Sequence, residues 1–175
     1  MTPGVRKFAL SAHLTFSVGW IGAVVAYLAL GVAAATSEDV QTVRASWTAM
    51  ELTGWYVIVP LALASVLTGL VMALGSKWGL FRHYWVLISF VLTILATVVL
   101  LLHMPTVSST ADVAQTAEGA SLDGLGGDLF HPAIGLVVLL VIQTLECVQA
   151  AGHDPVRLAK AAGAARAAGG DGVTR

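Results

Sequence analysis

Four apolar runs, at about residues 8–30, 52–74, 84–104 and 131–150, limit this chain more than any other feature. Each is close to the ~20 residues that cross ~30 Å of hydrocarbon at ~1.5 Å per residue. Lipid offers no partners for backbone N–H and C=O groups, so such a run must satisfy them internally, as a helix does. The expected fold class is all-α: a polytopic membrane protein built as a four-transmembrane-helix bundle. Composition agrees, because 11% charged residues is well under the ~25% of ordinary soluble domains. The membrane domain is expected over 1–152 and a flexible cytoplasmic tail over 153–175. Between the spans, a short interfacial helix is expected at about 38–50 and an external loop at about 105–130. The first run exceeds the ~7–15-residue apolar core of a cleaved signal, so it reads as a retained span.

Charge sets the expected orientation. Arg6, Lys7, Lys77, Arg82, Arg157, Lys160, Arg166 and Arg175 fall on one side of such a bundle, and Arg44 alone falls on the other. Positive charge stays inside, which places the N-terminus and C-terminus in the cytoplasm and the spans in the cell membrane. The lipid bilayer is then its first partner. A net charge of −1 gives no reason to expect nucleic acid, and one cysteine, Cys147, cannot form an internal disulfide. No phosphate loop, dinucleotide fingerprint, zinc-protease motif or nucleophile elbow occurs, which removes the common soluble enzyme classes. Gly19 with Ala23 and Gly22 with Ala26 suit close helix approach, within the bundle or in a homodimer.

Two polar layers interrupt the apolar runs. Counted from the cytoplasmic ends, His13, Thr68, Ser89 and Glu146 all fall roughly 7–11 Å deep, one from each span. Ionisable groups at that depth usually face the bundle interior and pair. One reading is a structural hydrogen-bond set; the other makes His13 an axial haem ligand. His13, Ser17 and Trp20 share a helical face, so Ser17 and Trp20 would line such a pocket with Ser89 and Glu146. The second layer is external and contains His103, Met104 and His131. It reads as interfacial capping, as a second haem axial pair, or as a soft copper site of imidazoles and thioether.

Resemblances add to this. "HLTFSVGWIG", with Trp20 seven residues after His13 and a glycine after it, resembles the first span of two bacterial groups. These are the haem-containing membrane protoporphyrinogen oxidases and the copper-resistance protein D type. "VIVPLALASVLTGLVMALG" and "GLFRHYWVLISFVLTILATVVLLLH" resemble a family of bacterial predicted integral membrane proteins of unknown function, over most of residues 5–150. The oxidase resemblance implies haem b bound through His13. That group carries a lysine four residues after a tryptophan of its third span; here Ser89 follows Trp85, which speaks against protoporphyrinogen oxidation. The copper-resistance resemblance implies metal at His103, Met104 and His131. The leading expectation is a small haem b protein with a redox role, exchanging electrons with a quinone or a membrane redox partner. A cofactor-free accessory or structural membrane protein and a copper-handling membrane protein stand as alternatives.

Overall fold

The computed structural model describes residues 2–75, 84–116 and 128–152. The tail expected at 153–175, Lys77, Arg82 and the middle of the expected external loop lie outside the described residues. The described chain is helical: α1 (Pro3–Thr36), α2 (Val40–Thr53), a π turn (Gly54–Ile58), α3 (Val59–Gly75), α4 (Tyr84–Thr116) and α5 (Phe130–Gly152). Three stretches, Gly4–Thr36, Val40–Leu74 and Leu87–Thr116, are long and apolar enough to cross a membrane; Phe130–Glu146 is a shorter apolar helix. Below, the proximal end of the bundle is the one holding Pro3 and the distal end the one holding Thr36.

The packing of α1 follows a repeat of seven. His13, Trp20, Tyr27 and Ala34 are buried at successive steps of seven, with Val24 between them on the same seam. Such spacing keeps one face of a long helix turned to its neighbours. The opposite face carries exposed Phe8, Val18 and Val25, while Ser65, Ser89, Thr93 and Thr97 are buried inside. Apolar outside and partly polar inside is the distribution expected where hydrocarbon is the solvent.

The stretch expected as a short interfacial helix does not stop before the second span. Asp39 caps α2, accepting from the backbone N–H of Thr42 at 3.0 Å and from its hydroxyl at 2.7 Å. The Thr42 hydroxyl is the main reason the Asp39 carboxyl is held below its usual range. α2 then buries Val43, Trp47 and Met50 in the core with Val107, Ala111 and Ala114 of α4, and it continues through the π turn into α3. Pro60 explains the turn. A proline inside a helix clashes with the carbonyl four residues back and donates no hydrogen bond. Widening the helix just before it, with Val59 N–H reaching the Gly54 carbonyl, absorbs the misfit.

Gly54 also makes room at that turn for Met104. A Cβ there would collide with the Met104 thioether end, and because Met104 is fully buried that end has little space to move into. Gly54→Ala should therefore lower stability by about 1–3 kcal/mol, the usual cost of overpacking, read as a drop in thermal midpoint in detergent.

α4 also outruns its expected end. The proline at 105 reads in sequence as a stop, yet the helix passes through it to Thr116. Buried Met104, Val107, Ala111 and Ala114 carry the seam of Thr93 and Thr97 onward at spacings of three and four. Packing on α2 repays the lost backbone bond. Polar latches fix the extension: Arg44 Nε donates to the Ala114 carbonyl at 3.0 Å, and Trp55 Nε1 donates to Ser108 at 3.0 Å. Arg44 thus ties α2 to a carbonyl of the last described turn of α4.

Candidate metal centre and the buried polar layer

At the proximal level the structure brings His13 and Glu146 together. His13 Nδ1 lies 3.1 Å from the Ser65 carbonyl and 3.0 Å from Thr68 Oγ1. A carbonyl can only accept, which assigns the proton to Nδ1. Thr68 donates its own hydroxyl hydrogen to the Ala64 carbonyl at 2.7 Å, leaving a lone pair for the imidazole. Nε2 then faces Glu146 Oε1 at 3.6 Å. Gly69 makes this seat possible, because a Cβ there would stand 3.2 Å from His13 Cε1.

The other expected members of this layer divide. Ser17 bonds Ser65 through their hydroxyls at 3.0 Å. Trp20 is buried one level further along α1. Ser89 is buried too, but its hydroxyl has no hydrogen-bond partner among the described residues. A cavity of about 10 Å³ lies against Ser17, Ser65, Thr93 and Glu146. That is room for about one water. A porphyrin ligated by His13 would need Glu146 displaced from Nε2 and α1 parted from α5.

The distal level gathers a different constellation. His103 Nε2 donates to Asp128 Oδ2 at 2.5 Å, and the Tyr27 hydroxyl donates to the same oxygen at 3.1 Å. His131 Nδ1 stands 3.7 Å from the other oxygen, Oδ1. The two imidazoles stack with centroids 4.3 Å apart at 26°. One ligand atom from each of His103, Asp128 and His131 can be chosen so that all lie within 4.8 Å of one another. Burial by itself would push the Asp128 carboxyl up. The hydrogen bond and charge of His103 outweigh it, helped by Tyr27 and His131, and hold it below the usual carboxylate range. Asp128 is therefore ionised at neutral pH.

Local structure explains why these groups meet. His103 sits on α4 just before Pro105, and His131 lies in the first turn of α5 with Asp128 three residues ahead of it. Gly31 of α1 admits this segment: a Cβ there would stand 3.0 Å from the Asp128 carbonyl oxygen and 3.1 Å from Leu129 Cδ2. Gly31→Val should push Asp128 off His103 and lower the thermal midpoint in detergent without altering any side chain of the cluster. Met104, expected to share this site, turns elsewhere, with its thioether packed against Gly54. Successive helical residues point about 100° apart, which separates it from His103.

Below the cluster, between α1, α4 and α5, lies a cavity of about 310 Å³. Tyr27, His103, Asp128 and His131 close its distal end, and Trp20 and Leu139 stand between it and the water-sized cavity.

Asp128, Tyr27 and Ser65 are the functional candidates that the sequence reading passed over. Asp128 was visible as Asp-x-x-His ahead of a helix, and Tyr27 as the next step of seven after His13 and Trp20. Ser65 contributes a backbone carbonyl, for which side-chain chemistry gives no signal. Comparison with models of known protein families, with curated proteins and with solved structures finds no match for this chain.

Proposed function

We propose that this chain is a four-span protein of the bacterial cytoplasmic membrane, with both termini cytoplasmic, that binds a divalent transition-metal ion at its external face through His103, Asp128 and His131. The observation carrying this reading is the convergence of two imidazoles and an ionised carboxylate within 4.8 Å. Two nitrogens and one oxygen form a borderline donor set, suited to Zn²⁺ or Cu²⁺. The Met104 thioether stays with Gly54, which removes the soft ligand that Cu⁺ would favour. His131 is 57% exposed, so the ion has a route from solvent. Three protein ligands leave a coordination position free, the pattern of sites that exchange or activate a ligand rather than of closed structural sites. The haem expectation at His13 and the electron-transfer role built on it draw no support from this geometry. There Nδ1 is hydrogen-bonded, Nε2 faces Glu146 at 3.6 Å, and the neighbouring cavity has room for about one water.

A metal would displace the proton that His103 shares with Asp128, so uptake should release a proton and weaken as pH falls. The test is calorimetric titration of chelator-stripped protein with Zn²⁺ and with Cu²⁺. One ion per chain is expected. His103→Ala and His131→Ala should each weaken binding by more than the ~10–100-fold typical of losing an outer-shell partner. Unchanged uptake in the double variant would remove the site.

A further inference from the structure

We propose that the cavity beneath the His103–Asp128–His131 cluster binds a lipophilic hydroquinone, its phenolic ring at the cluster and its tail in the cleft between α4 and α5. The proposal uses the same side chains as the metal reading but does not require the ion.

Size comes first. The cavity holds about 310 Å³, and an apolar cavity of ~150 Å³ is known to accept benzene. There is room for a substituted ring and the start of a chain. Access comes second. Leu95, Val99 and Ile134 line the cavity and are 56%, 48% and 50% exposed. The cavity therefore opens sideways onto the apolar outer face, where a ligand arrives from hydrocarbon rather than from water.

Head-group chemistry selects among lipophilic ligands. The polar groups all sit at the distal end, and the Asp128 carboxylate at their centre offers acceptor oxygens, which a head group without a donor, such as a fatty-acid carboxylate, does not match. A phenolic hydroxyl is neutral, donates to that carboxylate and accepts from an imidazole N–H. The ring walls at this end are Tyr27, His103 and His131. Three rings favour a planar aromatic head over the flexible chain of an alcohol. The rest of the lining is aliphatic and suits a hydrocarbon tail. No electron leaves the ligand in this proposal; it concerns binding alone.

The experiment uses full-length protein in nanodiscs with excess chelator, and a decyl-substituted benzohydroquinone kept reduced with ascorbate. Binding is read by quenching of tryptophan fluorescence, with Trp20→Phe identifying the signal from the cavity. Gly135 lines the cavity, and a Cβ added there meets nothing within 4 Å, so Gly135→Leu fills the space without a clash at its root. Saturable binding is expected, at least tenfold weaker in Gly135→Leu and in Asp128→Asn, while Gly135→Leu still takes up metal as wild type does. Equal affinity in wild type and Gly135→Leu would overturn the proposal. So would dodecanol or dodecanoate competing as well as the ring, since the cavity would then hold an ordinary acyl chain. Loss of metal uptake with intact hydroquinone binding would sink the metal reading and leave this one standing.

Discussion

Asp128→Ala should abolish high-affinity metal uptake and also cost about 3–5 kcal/mol of stability, the range for removing one partner of a buried charge pair. The carboxylate is 11% exposed in its side chain, so solvent screening offers little discount. Its loss strands the Tyr27 hydroxyl, in a residue only 4% exposed, without its acceptor, and leaves the His103 N–H without its acceptor as well. Asp128→Asn keeps the shape and one acceptor oxygen, so it should lose less stability but nearly as much metal. The difference between wild type and Asn has a pH signature. The Asp128 carboxyl is held below its ordinary range by His103 and Tyr27 against the opposing effect of burial. A depressed carboxyl contributes stability above its unfolded value and loses it as pH falls through the folded one. The gap should persist at neutral pH and close only in acid below the ordinary carboxylate range. Chemical unfolding in mixed micelles across that range measures it.

The second large effect concerns the proximal pair. His13→Leu leaves the Glu146 carboxyl without its imidazole, and Glu146→Leu leaves Nε2 of His13 without the carboxylate while Nδ1 keeps Ser65 and Thr68. Each single substitution should cost about 1–2 kcal/mol, the upper range for polar contacts between membrane helices. The double substitution should cost less than the sum by about 1 kcal/mol, because neither partner is then left unpaired. Strict additivity in that cycle would mean that the 3.6 Å approach carries no energy. Neither single substitution should change metal uptake at the distal end.

The sequence made parts of this arrangement readable and concealed others for physical reasons. Depth counting brings His13 and Glu146 to one level because rise per residue in a helix is nearly constant, and the structure brings them together. The same counting cannot tell which hydroxyl each nitrogen reaches. Ser89 shares the depth yet bonds neither residue, while Ser65 and Thr68 of α3 do. Pro105 misleads because proline is a strong local stop, whereas Val107, Ala111 and Ala114 are a tertiary signal whose weight depends on α2 lying opposite. The external layer was visible as two histidines at matching depth. Its organising residue left only the weak Asp-x-x-His signal, since Asp128 is 25 positions from His103 and looks like one acid among several. Only the fold turns that acid inward. Met104 shows the converse: adjacency to His103 suggested a shared ion, but helical rotation and the missing side chain at Gly54 give the thioether another place.

Electron paramagnetic resonance of the protein carrying one equivalent of Cu²⁺ decides whether His103, Asp128 and His131 form one metal site, because imidazole nitrogens leave countable couplings in the pulsed spectrum. Two coupled imidazoles are expected in wild type, one in His131→Ala, and no site of that kind in Asp128→Ala. Copper that washes away, or that shows the same spectrum after His103 and His131 are both replaced, would rule out a shared site.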